Sequence, residues 1–401
     1  MKKKLIKKVI LAYSGGLDTS VIIPWLKENY KCEVIAFVAD IGQNKEDLNN
    51  IEDKALMSGA SSCYILDLKE EFISNYVFPI LKVGALYESD YLLGTAIARP
   101  LIAKAQVDLA NKLNADALCH GSTGKGNDQI RFEVSYASLD SRLTVLAPWR
   151  EWNLNSREDL LKYLSDRNIP TSTTLKKIYS RDENAFHIST EGGILEDTHN
   201  ATNKDCWVWT KELEDTPDVS EKISITFNKG IISSINGINL SPFNCIDKLN
   251  KIGSIHGIGR VDIVENRLIG IKSRGCYETP GGTIIFKSLR SLEQIVFDRE
   301  CLRWREKLGA EMSNIVYDGK WFSPIREAIQ SSSDFLSNLL NGEIVLKLYK
   351  GNIIVLQKKS PNSLYSKEYA TFNNDSVYNH KDATGFIRLF SLSDKIRSSM
   401  K

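Results

Sequence analysis

A chain of 401 residues is long enough to bury two hydrophobic cores, and its 52 basic against 50 acidic residues leave a formal charge of +2 at pH 7. That balance gives no broad electrostatic footprint for nucleic acid, so small molecules are the expected partners, with no nucleic acid and no membrane among them. Seven cysteines stand without a Cys-x-x-Cys pair or finger-type histidine spacing, and no run approaches the roughly 20 apolar residues of a membrane span; the expectation is a cytoplasmic protein with free thiols and no metal centre.

The basic stretch from Lys2 to Lys8 reads as a solvated tail, because the apolar run behind it stops at Ser14-Gly15-Gly16 and is too short for a signal peptide. Behind the strand candidate Val9 to Ala12 stands Ala12-Tyr13-Ser14-Gly15-Gly16-Leu17-Asp18-Thr19-Ser20. Two adjacent glycines permit a sharp turn and close approach to a ligand, while Asp18, Thr19 and Ser20 fall where a helix begins and exposes unpaired N–H groups. A structural turn needs only the glycines. The hydroxyls of Ser14, Thr19 and Ser20 gathered at one helix start point to an anion, and a phosphate in particular.

From Lys8 to about Arg167, short β-branched runs alternate with longer helical periods. Strands are expected at Lys8 to Ala12, Cys32 to Val38, Ser62 to Leu66, Ala117 to Gly121 and Thr144 to Ala147, and helices at Leu17 to Asn29, Lys45 to Gly59, Arg99 to Asn114 and Ser156 to Arg167. This is the pattern of an α/β domain, a parallel sheet flanked by helices, over 1–170. Ligands bind such sheets beyond the carboxyl ends of the strands, where both the Ser14 loop and the stretch after Gly121 fall. Gly121 to Glu133 holds a Gly-Lys pair at Gly124-Lys125, yet the Walker positions around it carry Cys119 and Gly126, so it is not a P-loop. Asn127, Asp128 and Arg131 lie one helical turn apart and suit a zwitterion, Asp128 for its amine and Arg131 for its carboxylate.

After Ile169-Pro170 the chain turns irregular and rich in Ser, Thr, Asn and Asp as far as Thr216-Pro217. Hairpins are expected at Ile223 to Phe227 with Ile231 to Ile235, and at Val345 to Leu348 with Ile353 to Leu356. Helices are expected near Ser291 to Glu306 and Pro324 to Leu340, giving a second α+β domain over 171–365. The tail, 366–401, carries an apolar stripe of Phe386, Ile387, Leu389, Phe390, Leu392 and Ile396, a helix that must dock on its own core or on another subunit.

The order Ser-Gly-Gly-x-Asp-Thr/Ser resembles the PP-loop of ATP pyrophosphatases, which cut ATP between its α and β phosphates. Within that superfamily the chain resembles argininosuccinate synthase. The matching blocks are Ala12 to Ser20; Tyr91-Leu92-Leu93-Gly94-Thr95 with Ala98-Arg99-Pro100; Gly121 to Glu133; and Ala147-Pro148-Trp149-Arg150. They continue with Ser180, Asp182-Glu183-Asn184, His187-Ile188-Ser189, His256 to Arg260, Val264 to Arg267 and Ser273 to Pro280, then Ser360-Pro361 and Asp382 to Phe386.

The resemblance implies ATP-driven joining of citrulline to aspartate through a citrullyl-AMP intermediate, with Mg²⁺, in arginine biosynthesis, by a homotetramer. It places ATP at Ala12, Tyr13, Ser14, Gly15, Gly16, Leu17, Asp18, Thr19, Ser20, Ala39 and Gly121, and aspartate at Thr123, Asn127 and Asp128. Citrulline falls to Tyr91, Ala96, Asn127, Arg131, Ser180, Ser189, Glu265 and Tyr277, and the catalytic carboxylates would be Asp18 and Asp128. Ala96 departs from the family, some members of which carry serine there; Thr95 beside it offers a substitute hydroxyl. Two other readings of the loop stand beside this one. Transfer RNA thiolases are disfavoured by the balanced charge and absent cysteine pair, and a non-catalytic nucleotide sensor has no use for two amino-acid sites.

Overall fold

The computed structural model describes residues 5–44, 48–124, 126–170, 178–371, 377 and 379–400. Lys2, Lys3 and Lys4 of the basic tail, the start of the helical period at Lys45, the Lys125 position, the segment 171–177, and residues 372–376, 378 and 401 lie outside them.

Five parallel strands, β1 (Lys8–Ala12), β2 (Glu33–Asp40), β3 (Ser62–Asp67), β4 (Ala117–Cys119) and β5 (Thr144–Leu146), form a sheet in the order β3-β2-β1-β4-β5. Central β1 has Val9, Ile10 and Leu11 fully buried, because parallel strands are covered on both faces. Val9 and Leu11 share one core with residues of α1 (Leu17–Tyr30), α2 (Ile51–Met57) and a later helix. Ile10 shares the opposite core with α3 (Gly94–Lys112) and α4 (Asp128–Leu139). That later helix, α5 (Arg157–Ser165), starts with a capping box in which Ser156 and Asp159 satisfy each other's backbone. The chain switches direction between β1 and β4, so the loops leaving these two strands flank one crevice.

The second part holds two antiparallel sheets. A five-stranded sheet, order β10-β9-β8-β13-β14, contains β8 (Glu221–Asn228), β9 (Ile231–Ile235), β10 (Ile238–Asn239), β13 (Gly342–Tyr349) and β14 (Asn352–Lys359). A four-stranded sheet, order β11-β12-β7-β6, contains β6 (Ser180–Glu183), β7 (Ile188–Glu191), β11 (Arg260–Asn266) and β12 (Lys272–Glu278). Helices α6 (Pro242–Ile255), α7 (Pro280–Val296), α8 (Arg299–Tyr317) and α9 (Pro324–Ser337) complete it. The tail forms α10 (Asp382–Phe390) and α11 (Leu392–Ser399), with Phe386, Leu389 and Phe390 all largely exposed.

Three expectations are corrected. The helix expected from Arg99 begins at Gly94, after Leu93 turns in the left-handed region at φ 62°. The helix expected across Ser291 to Glu306 is two helices, because Asp298 caps α8 by accepting the Cys301 N–H at 2.7 Å and the chain is extended at Phe297. The segment read as irregular up to Thr216 contributes β6 and β7 of the four-stranded sheet.

Candidate active site

The Ala12–Ser20 loop leaves β1 and opens α1. Gly15 has φ +73°, the left-handed region that favours glycine, and Gly16 caps the helix with no side chain satisfying its first N–H groups. The hydroxyls stay within the loop: Ser14 Oγ lies 3.3 Å from Thr19 Oγ1, and Tyr13 OH 3.1 Å from Ser20 Oγ. Burial pushes the Asp18 carboxyl above its usual range, with Arg157 of α5 pulling the other way. Gly121 belongs to the same place, since a Cβ there would stand 2.9 Å from Thr19 Cγ2. Ala39 lies at the carboxyl end of β2, where its carbonyl accepts from Gln43 Nε2 at 2.9 Å.

On the other flank of the crevice, α4 carries Asp128 and Arg131, preceded by Asn127. Asp128 is not a lone carboxylate. It accepts from Arg99 Nε and from Arg131 Nη1, both at 2.9 Å, while Arg99 Nη2 also reaches Asp182 Oδ2 at 2.8 Å. Burial alone would raise the Asp128 pKa, but the two guanidinium groups outweigh it and hold the carboxyl below the usual range. A carboxylate has about four lone-pair sites, so two guanidinium partners leave capacity for an amine. Asn127 donates to Tyr317 OH at 2.9 Å and accepts from Leu268 N at 3.1 Å; Arg131 donates through Nε to the Tyr317 carbonyl at 3.1 Å. Gly319 makes this close approach possible, a Cβ there falling 2.8 Å from Arg131 Cα.

The four-stranded sheet supplies the third wall. Directly opposed residues of an antiparallel pair lie on one face. The pairs Glu265 with Ser273, Tyr277 with Ser189, Ser189 with Asp182, and Glu191 with Ser180 put Glu265, Tyr277, Ser189, Asp182, Glu191 and Ser180 on the same face. Tyr277 stacks on Tyr91 with ring centroids 4.4 Å apart, joining this face to the start of α3. Ser189 is buried, and its hydroxyl points back to the Asp182 carbonyl at 3.4 Å; Ser180 is exposed at the sheet edge. Glu265 is 4 % exposed, its Oε2 has no hydrogen-bond partner among the described residues, and its pKa is pushed up to about 7. Burial is the main cause; Arg131, Arg267 and the Tyr277 hydroxyl pull it down, and Glu191 adds to the rise. Of the eight positions expected for citrulline, seven, Tyr91, Ala96, Asn127, Arg131, Ser189, Glu265 and Tyr277, are buried on or beside α3, α4 and the four-stranded sheet, and Ser180 is exposed.

Ala96 is fully buried in α3. Thr95 does not stand free to replace a serine there, because its Oγ1 is 2.9 Å from His187 Nε2 while its N–H donates to Tyr91 OH at 3.0 Å. His187, buried and kept neutral by a pKa lowered to about 4, has Nδ1 without a partner and stands against Gly94. A Cβ on Gly94 would fall 2.3 Å from His187 Cγ. Gly94→Ala is therefore expected to cost about 2 kcal/mol or more by overpacking, read as a lower urea midpoint; an unchanged midpoint would show that the ring can yield.

Arg99, Asp182 and His187 lie within the matched blocks, yet no role was expected of them from the sequence. The signal for Arg99 was a cation inside the otherwise apolar run Ala96 to Leu101. Among the described residues no group of three or more His, Cys, Asp or Glu side chains is placed to hold a metal ion, and no helix is long and apolar enough to cross a membrane.

A parallel sheet of order 3-2-1-4-5 with a glycine loop at its switch point, followed by a second domain of antiparallel sheets, defines a HUP-type α/β enzyme. Residues 8–170 match the family described as Arginosuccinate synthase N-terminal HUP domain, and 179–397 match Arginosuccinate synthase C-terminal domain. Relatives named argininosuccinate synthase include that of Buchnera aphidicola subsp. Schizaphis graminum, 67 % identical with 98 % of each chain covered. That of Erwinia tasmaniensis is 65 % identical over 99 % of each chain, and that of Serratia proteamaculans 63 % identical over 99 % of this chain and 98 % of its own. The chain belongs to the argininosuccinate synthase family.

Proposed function

We propose that the protein condenses L-citrulline with L-aspartate at the expense of ATP, giving argininosuccinate, AMP and pyrophosphate through citrullyl-AMP, as a cytoplasmic enzyme of arginine biosynthesis. The observation that carries this reading is the set of contacts joining three walls: Gly121 against Thr19 of the nucleotide loop, Arg99 bridging Asp128 and Asp182 of the sheet face, and Tyr91 stacked on Tyr277. The division into 1–170, 171–365 and 366–401 and a homotetramer joined by the exposed α10 and α11 belong to the same proposal.

ATP would lie with its phosphates on the open N–H groups of α1, whose positive end offsets the charge that develops as pyrophosphate leaves. Gly15 and Gly16 give the approach, and Gly121, two residues beyond β4, bounds the same space. Mg²⁺ is expected to arrive on the triphosphate, since the described residues form no cage for it and Asp18 is the loop's only carboxylate. Citrulline would set its carboxylate on Arg131, whose charge is permanent, and its ammonium on Glu265, with the side chain across the Tyr91–Tyr277 stack. Its ureido oxygen, a weak nucleophile, attacks the α-phosphorus only when held in line, which the two rings and the loop are placed to ensure. Aspartate, carried by Thr123, Asn127 and Asp128, then attacks the activated carbon with its unprotonated amine, and AMP leaves with the ureido oxygen.

That atom balance is directly testable. Citrulline labelled with ¹⁸O in the ureido group should place one heavy oxygen in each AMP phosphate; unlabelled AMP would refute the adenylated intermediate. Ala96→Ser is expected to lower KM for citrulline about fivefold, the effect of one added hydrogen bond of about 1 kcal/mol. Steady-state kinetics with citrulline varied would read it. An unchanged KM would mean that the position does not touch citrulline here.

A further inference from the structure

His120, directly after β4, has no part in the reaction described above, yet its ring is held on three sides. Its side chain is fully buried and stacks on Phe132 of α4 at 5.6 Å and 10°. Ser122 N donates to its Nδ1 at 3.3 Å, and its Nε2 is 3.1 Å from Glu133 Oε1. A nitrogen that accepts carries no proton, so the backbone donor fixes the tautomer: the proton sits on Nε2 and is donated to Glu133. Glu133 is in turn fixed by Arg150 Nη2 at 2.6 Å. The far end of the same loop is held separately, where Gln129 Nε2 donates to the Gly124 carbonyl at 2.7 Å. Between the two ties lie Ser122 and Thr123.

We infer that His120 is a positioning residue which, through its Nδ1 acceptor, sets the Ser122–Gly124 backbone and so places Thr123 for the aspartate substrate. The inference rests on the proposed placement of aspartate at Thr123, Asn127 and Asp128. Arg150 and Glu133 clamp the ring at Nε2, Phe132 prevents it from tilting, and Nδ1 is left facing the loop. The ring thus acts as a one-sided bracket. Among the described residues its ring nitrogens bond Ser122 and Glu133, not the sheet face, so its loss should act on aspartate far more than on citrulline.

Two amide replacements separate the two ring nitrogens. His120→Asn places an oxygen acceptor near Nδ1, and His120→Gln places an amide near Nε2 only. In the full-length protein, His120→Gln is expected to raise KM for aspartate about tenfold with KM for citrulline changed less than about twofold, while His120→Asn stays within about threefold of the original for both. Glu133→Leu, which leaves His120 in place but removes what holds its proton on Nε2, should reproduce the His120→Gln effect, whereas Glu133→Gln, retaining an oxygen acceptor, should not. Glu133 is 29 % exposed, so its variants keep the inference testable should the His120 variants not fold. Equal impairment of the Asn and Gln variants, or equal loss toward both amino acids, would overturn the inference. Absence of turnover by the unaltered protein would instead overturn the reading of the site on which it rests.

Discussion

Replacing Asp128 by alanine is expected to abolish aspartate-dependent turnover while leaving ATP affinity within about threefold. The carboxylate sits between Arg99 and Arg131, accepting from both at 2.9 Å, and Arg99 also holds Asp182 of β6. Removing it takes away the partner proposed for the aspartate amine and leaves Arg131 without that carboxylate, a loss on the order of 3 kcal/mol for a largely buried pair. In kinetic terms that is a fall of kcat/KM for aspartate of about a thousandfold or more once direct substrate contact is added. KM for citrulline should rise as well, by less, because Arg131 loses its orientation. The Ala12–Ser20 loop shares no hydrogen bond with Asp128, so ATP binding, read by calorimetry, should persist. Lost ATP affinity with an unchanged aspartate KM would show that the two loops are assigned the wrong way round.

Glu265 carries the second large expectation. Its pKa of about 7 means that the folded protein holds a proton which the unfolded chain releases near pH 4.5. A raised folded-state value stabilises the fold below the unfolded pKa, and that contribution, on the order of 3 kcal/mol, is lost as pH rises through about 7. Citrulline binding runs the other way, since its ammonium needs the ionised carboxylate. KM for citrulline should therefore fall as pH rises from 6 to 8. Glu265→Gln should remove this pH dependence and raise KM for citrulline about a hundredfold, the order expected for loss of a buried charged contact. The same variant should be more stable than the original at pH 8, because it no longer buries a charge with an unpartnered oxygen. A pH-independent KM in the unaltered protein would remove Glu265 from the ammonium role.

Two of the three walls of the site differ in how far they could be read from sequence. The Ala12–Ser20 loop is local, its glycines and hydroxyls lie within nine residues, and strand periodicity before it fixes where it faces. The parallel sheet was legible for the same reason, each strand being a short apolar run. The sheet face is not local. Ser180, Ser189, Glu265 and Tyr277 come together only through the register of four strands. Two of these, Ser-Arg-Asp-Glu in β6 and Lys-Ser-Arg-Gly-Cys-Tyr-Glu in β12, show no apolar alternation: β6 is a polar edge strand with Ser180 and Arg181 exposed, and β12 runs from the exposed Lys272 to the buried Glu278. Only the family resemblance put those residues together beforehand. The early start of α3 was hidden for a related reason: Gly94 reads as a loop breaker, yet it is required by the close approach of His187, the residue just before β7. The pairing of Asp128 with Arg99, 29 residues earlier, has no sequence signal beyond a cation in an apolar helix.

The most direct test is release of pyrophosphate from ATP with Mg²⁺, with citrulline and aspartate supplied singly and together. Sustained release only when both are present, matched by equimolar AMP and argininosuccinate, is the predicted result. Bound ATP without pyrophosphate release under any combination would contradict the account and leave a nucleotide-binding protein whose sheet face serves another ligand.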